Sequence, residues 1–175
     1  MNKAIVLLFS IILFSCSNER NPYAKDLEHV LKITNCDTLE TDSVFIKHNK
    51  LSWPISKPDN MTEAMILLDS ATTDFTRHYI KICDGVDSYF SIGLIIRNDW
   101  VRHGKDDFRN ELFVKLKLGH IDYSSGIVLF FYKRYLNNDK TPIFQSLGVY
   151  PPSDSVRNEL LRIDSEITKL KNQIQ

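Results

Sequence analysis

The stretch VDSYFSIGLIIRNDWV, residues 86–101, indicates the fold class of this chain more clearly than any other segment. It is apolar on almost every side, and only the pair Arg97 and Asn98 interrupts the oily part of the run. A helix that is apolar all round is usually central and covered by its neighbours. We therefore expect a mainly α-helical domain built around this segment.

The residues that precede this segment predict two helices. NMTEAMILLDSA opens with Asn60 three residues before Glu63, which is the spacing of a capping box. The second of the two is predicted to end at Asp84 and Gly85, because glycine readily takes the left-handed conformation that closes helices.

Two further helices are predicted downstream. DDFRNELFVKLKLG has Asp106 or Asp107 as its expected N-cap and Gly119 as its stop. Asp122 is then placed to cap YSSGIVLFFYKRYLNN. The expected core is a compact domain of about five helices.

The two ends of the chain carry weaker signals. YAKDLEHVLKIT predicts a helix, whereas DSVFIKH is a candidate short strand. The last helix has apolar residues alternately four and three apart, at Val156, Leu160, Ile163, Ile167, Leu170 and Ile174. This heptad seam either docks on the chain's own domain or joins copies of the chain through residues 156–174. We favour docking, because the seam spans too few heptads for a coiled coil.

The first residues, MNKAIVLLFSIILFSC, have the pattern of a secretory signal, with Lys3 followed by an uncharged run from Ala4 to Phe14. That run is about half of the ~20 residues that a membrane-spanning helix needs. The segment from Leu13 to Cys16 resembles a bacterial lipobox, which implies cleavage before Cys16 and acylation of its sulfur and new amino group. The alternative is an uncleaved apolar helix.

A lipobox implies a location in the cell envelope, and Ser17 after the cysteine resembles lipoproteins released to the outer membrane. Two or more acyl chains hold a protein stably on a bilayer. The expected organisation is a signal peptide at 1–15, a tether at 16–22, an extension at 23–50, a helical domain at 51–140, a connector at 141–151 and a terminal helix at 152–175.

After Cys16 is set aside, two cysteines are left, Cys36 and Cys83. An even pair in an oxidising compartment is a candidate disulfide. The alternative is that Cys83 is buried as a small apolar residue on the face that Phe75 and Tyr79 share. The sequence leaves both alternatives open.

Charge and motifs exclude several function classes. Lysine plus arginine equals aspartate plus glutamate at 22 each, so no net field favours nucleic acid. Phosphate-binding loops, dinucleotide fingerprints, zinc motifs and nucleophile elbows are missing from the sequence. We expect no cofactor and no metal, because His120 and Asp122 lack the further ligands that a metal site needs.

Arg97 is the most unusual residue, because a guanidinium within an apolar helix needs a partner. Glu63, Asp99 and Asp122 are the candidates. Arg97 either joins helices together, which we favour, or binds an anion in a cleft. The candidate pocket comprises Arg97, Asn98, Trp100, His120 and Asp122.

The segments WP, TEAMILLD, FSIGLIIRNDW and LGHIDYSSGIVLFFYKRYL resemble a family of small bacterial proteins classed as a domain of unknown function. The resemblance covers about residues 51–138. It implies an all-helical domain without a known reaction, with family-pattern positions at Trp53, Pro54, Glu63, Ala64, Gly93, Arg97, Asn98, Trp100, Asp122 and Ser125. His120-Ile121-Asp122 departs from the pattern, in which proline is commoner at the middle position, and Tyr123 replaces a second aspartate.

The sequence thus favours a non-catalytic binding or interaction module, held at the membrane through Cys16, with an envelope protein as its candidate partner. The alternative is an envelope enzyme that uses Arg97, Asn98, His120 and Asp122.

Overall fold

The structure is a computed structural model that describes residues 21–49, 56–83, 90–147 and 153–174. These residues form ten helices and contain no β-strand, so the predicted α-helical class is confirmed. The helices are α1 Pro22–Leu31, α2 Cys36–Thr41, α3 Ser43–His48, α4 Met61–Ala71, α5 Asp74–Ile82, α6 Phe90–Ile95, α7 Asp106–Asn110, α8 Asp122–Asn137, α9 Ile143–Leu147 and α10 Asp154–Ile174.

Two helices continue as wider π-helical turns. α6 runs into π1, Ile96–Arg102, and α7 runs into π2, Glu111–Lys115. The backbone of Gly104 lies very close to the backbone of Trp100 in π1. An added Cβ at Gly104 would lie 1.6 Å from the carbonyl oxygen of Trp100. Only a residue without a side chain fits at that position.

The capping box at the start of α4 is present in a shifted form. The Asn60 side chain accepts a hydrogen bond from the Glu63 amide at 2.9 Å, as predicted. The Glu63 carboxylate, however, accepts from the amide of Asp59 at 2.6 Å. The second hydrogen bond of the box is therefore made to the amide of Asp59, one residue before the N-cap.

α8 is the central helix of the described residues. It packs against α4, α5, α6, π1 and α10. Its buried side chains include Val128, Phe131 and Tyr132. The described part of the segment at 86–101 lies against α8 and buries Ile92, Ile96 and Val101.

The N-terminal helices α1–α3, which we call the N-terminal unit, pack on α5. The strand considered for DSVFIKH is wrong, because these residues form α3. The Asp42 side chain caps this helix by accepting from the Phe45 amide at 2.9 Å. The Phe45 ring then stacks on Tyr79 of α5 at 5.1 Å, which buries the single apolar face that a short helix needs.

The predicted ends of two helices are also wrong. Lys105 and Ile121 occupy the N-cap positions of α7 and α8, and neither makes a side-chain cap. Asp106 and Asp122 are instead the first helical residues, where a carboxylate is stabilised by the positive end of the helix dipole. The turn after π2 places Lys117, not Gly119, in the left-handed region, with a φ of 54°.

The C-terminal helix α10 docks on its own domain, in contact with α4, α8, α9 and π2. Val156, Leu160, Ile163 and Ile167 are buried in this interface. Most of the heptad seam is therefore buried against the chain's own domain. Among the described helices, none is both long enough and apolar enough to cross a bilayer.

Candidate functional site

Arg97 lies in π1 with a side chain that is 17% exposed. Its Nη1 donates to Ser125 Oγ at 2.9 Å, and its Nε lies 3.8 Å from Asp122 Oδ1. Gly93, one turn earlier, leaves room for this contact, because an added Cβ would lie 3.4 Å from Nη1 of Arg97. The guanidinium thus connects π1 to the first turn of α8.

His120 and Asp122 lie together at the surface beside Arg97. The His120 Nδ1 atom is 3.1 Å from Asp122 Oδ2 and 3.2 Å from the Asp122 backbone nitrogen. A ring nitrogen can donate to the carboxylate or accept from the amide, but not both at once. Which of the two contacts forms depends on whether Nδ1 carries a proton.

The adjacent Tyr123 completes an exposed group. Its ring contacts the His120 ring edge-on, with centroids 6.3 Å apart. The side chains of His120, Asp122 and Tyr123 are 62%, 64% and 65% exposed. We call His120, Asp122, Tyr123 and the underlying Arg97 the α8 patch.

The other two predicted site residues differ from the patch. Asn98 is half-buried in π1. Trp100 is fully buried and packs edge-to-face on Phe108 at 6.3 Å. Its Nε1 has no hydrogen-bond partner among the described residues. Trp100 is therefore a core residue and does not line the surface patch.

Ser125 is the hydroxyl that contacts Arg97, and it is fully buried. Besides accepting from Arg97, its Oγ donates to the backbone oxygen of Asp122 at 3.2 Å. The hydroxyl is thus already committed, and His120 is not among its hydrogen-bond partners. The described residues here do not present a nucleophile beside a base.

Arg134 forms a buried ionic site that the sequence analysis missed. Its guanidinium donates to Asp164 at 3.0 Å, and to Asp139 and Ser146 at 2.8 Å each. Hydrogen bonds to backbone oxygens of Asp139 and Thr141 complete its shell. Every donor group of the guanidinium is engaged, which identifies Arg134 as a structural link to α10.

Glu111 and Arg162 form a second such link. Buried Glu111 accepts hydrogen bonds from the Met61 amide at 2.6 Å and from Arg162. Burial raises the pKa of the Glu111 carboxyl, against the opposing effect of these two donors. Arg162 also contacts Glu159 and Glu166, at 2.8 and 2.6 Å.

A disulfide joins Cys36 and Cys83, with Cα atoms 5.0 Å apart. It ties α2 to the end of α5. Glu40 lies close enough to form a metal-ligand cluster with the two sulfurs, but both sulfurs are bonded to each other and present no thiolate. The bridge is therefore a structural crosslink in this form of the protein.

Comparison with known proteins finds a similarity to a family model over part of the chain. Residues 57–136 match the family model described as Domain of unknown function (DUF6794). The chain contains a small domain of unknown function. No curated protein and no solved structure matches the chain.

The DUF6794 region extends from just before α4 almost to the end of α8, so it includes the whole α8 patch. The N-terminal unit and α10 lie outside it. The disulfide connects the region to the first of these, and Arg134 and Glu111 connect it to the second. The most heavily buried ionic groups of the described residues thus join the matched region to its flanking helices.

Proposed function

We propose that this protein is a lipid-anchored, non-catalytic binding module of the bacterial cell envelope. The observation that carries the binding role is the α8 patch, in which three neighbouring side chains are well exposed over a fixed arginine. The proposed anchor is a set of acyl chains on Cys16, and the proposed location is the outer membrane.

Two features support export from the cytoplasm. The first residues have the lipobox-like order Leu13, Phe14, Ser15, Cys16. The second feature is the disulfide between Cys36 and Cys83. Disulfides persist in the periplasm and on cell surfaces and are rare in the reducing cytosol. Both features favour an oxidising compartment.

The chemistry of the α8 patch suits a protein partner. Tyrosine and arginine are enriched among residues that dominate binding energy, because they combine apolar area with directed hydrogen bonds. Tyr123 offers the exposed ring, while Asp122 offers a carboxylate that Arg97 holds from below. α8 is rigidly packed, so little entropy is lost when the patch binds.

Site-specific photo-crosslinking tests this role. A photoreactive phenylalanine replaces Tyr123 in the full-length protein in cells, and the matched control carries it at Leu161, which is 44% exposed on α10. We expect one discrete adduct from position 123 and none from position 161. Asp122→Ala, which removes an exposed side chain, should weaken that adduct, and equal labelling from both positions would contradict the proposal.

An enzyme is the second candidate, because Arg97, His120 and Asp122, three of the four proposed catalytic residues, meet at the surface. The test is incubation of purified protein with envelope phospholipids and peptidoglycan fragments, followed by mass spectrometry. A product that the wild type forms and His120→Ala does not would establish catalysis. Unchanged substrates with a retained crosslink at position 123 would establish the binding role.

A further inference from the structure

We infer that the N-terminal unit docks on the lipid bilayer through one edge, where the start of α1 meets the end of α3. We call this the membrane edge and define it by Tyr23, Lys25, Ile46 and Lys47. The inference rests on the proposed anchoring at Cys16 and goes beyond it, because it assigns a face of the folded protein to the lipid surface.

The length of the tether restricts which face can meet the membrane. The described chain begins at Asn21, and five peptide units separate it from Cys16. At most about 18 Å can be spanned by five extended residues. A compact domain of this size is about 35 Å across. The start of α1 therefore stays close to the bilayer, while the opposite side of the domain cannot reach it.

The structure shows which side chains surround that start. The Tyr23 ring contacts the His48 ring, with centroids 5.6 Å apart, so the beginning of α1 meets the end of α3. Asp26 accepts from His48 at 2.8 Å and lies 3.6 Å from Lys47 Nζ, which fixes the same two ends together. The start of α1 and the end of α3 therefore lie side by side.

Two exposed apolar side chains, Tyr23 and Ile46, lie at the membrane edge. Of the eight exposed large hydrophobic side chains in the described residues, Tyr23, Leu31 and Ile46 lie within residues 21–49. Ile46 is 61% exposed and has no core role, since its neighbour Phe45 fills the core position. Tyrosine is favoured at membrane interfaces, where its ring meets the acyl region and its hydroxyl meets water.

The charges at this edge are compatible with lipid headgroups. Lys25 and Lys47 are both exposed, and long lysine stems can lie along apolar surface while the ammonium groups reach phosphates. The nearest carboxylate, Asp26, is offset by Lys47 and His48. The acidic pair Asp37 and Glu40 is on α2, which packs on α3 and α5.

Depth-dependent quenching tests the inference on the full-length lipidated protein. A fluorophore is attached to a cysteine introduced as Ile46→Cys or Lys25→Cys, with Leu161→Cys as the matched exposed control. The native Cys36 and Cys83 stay bridged and unreactive. The protein is placed on vesicles of phosphatidylethanolamine and phosphatidylglycerol that carry a nitroxide lipid quencher near the headgroups.

We expect several-fold stronger quenching at positions 46 and 25 than at position 161, with the protein floating with the vesicles. Equal or negligible quenching at all three positions, in protein that still floats, would overturn the docking and leave the anchor intact. Protein that does not float would overturn the proposed anchoring and the docking together.

Discussion

At Gly104 the chain passes so close to its own backbone that a single methyl group decides whether π1 can form. Gly104→Ala would place a Cβ 1.6 Å from the Trp100 carbonyl oxygen. Overpacking of this kind costs about 1–3 kcal/mol or more. Urea unfolding should show that loss, while Gly119→Ala, where an added Cβ meets nothing within 4 Å, should change stability by less than about 0.5 kcal/mol. Equal stability of the two variants would contradict the close approach.

Glu111 gives a prediction about pH. Burial raises its pKa above the ordinary value of a glutamate carboxyl. Below that value the Glu111 carboxyl is protonated in both the folded and the unfolded protein. As the pH rises, this carboxyl ionises first in the unfolded protein. The unfolded chain then binds fewer protons, so this group's contribution to the free energy of unfolding falls as pH rises through the folded pKa.

The measurement compares wild type with Glu111→Gln by urea unfolding between about pH 4 and pH 7, a range that brackets the unfolded carboxyl pKa. The stability of wild type relative to the Gln variant should decrease over this range. A difference that stays constant with pH would show that Glu111 is not held in a burial-dominated site.

Residue-scale patterns predicted some of these contacts and not others. The expectation that Arg97 needs a partner led to Asp122 as a candidate, and the two lie 3.8 Å apart. Arg134 and Arg162 gave no such signal, because Asp164 and Glu111 are 30 and 51 residues away along the chain. Partners so distant in sequence are set by how the helices pack, which local spacing does not encode.

At the scale of elements, the disulfide is a covalent link between the N-terminal unit and the end of α5. The bridged cysteines are 47 residues apart, and closing a loop of that length stabilises a protein by about 4 kcal/mol on the chain-entropy model. Replacing both Cys36 and Cys83 with alanine should lower the free energy of unfolding by about that amount. Hydrogen exchange in α1–α3 should also accelerate.

The control for this prediction is the wild type with and without a dithiol reductant. Reductant should lower the stability of the wild type toward that of the double variant and leave the double variant unchanged. A wild type that is insensitive to reductant under partly unfolding conditions would show that the bridge does not stabilise the unit.

Element types were easier to predict from the sequence than element ends. The Asn60 cap was predicted because its hydrogen-bond donor is three residues away. α3 was not, because Val44 and Ile46 favour a strand and only the packing of Phe45 on Tyr79 selects a helix. The π1 and π2 turns also had no local signature, and each contains a fully buried core residue, Trp100 in π1 and Leu112 in π2.

At the scale of the whole molecule, α10 packs on the core of the region that matches the family model. Ile163→Ala removes a fully buried side chain and should cost about 2–4 kcal/mol in urea unfolding. Leu161→Ala, on the exposed side of the same helix, is the matched control and should be nearly neutral. Size-exclusion chromatography should show the same particle size for both variants and wild type, whereas a smaller particle for Ile163→Ala would indicate that the seam joins copies of the chain.

The central claim is that a disulfide-closed helical module is exported and attached through Cys16. Mass spectrometry of the intact protein from the membrane fraction, alkylated with and without prior reduction, tests it most directly. We expect a chain that begins at Cys16, carries acyl groups and gains alkyl groups on Cys36 and Cys83 only after reduction. An unprocessed chain of 175 residues whose cysteines react without reduction would contradict it.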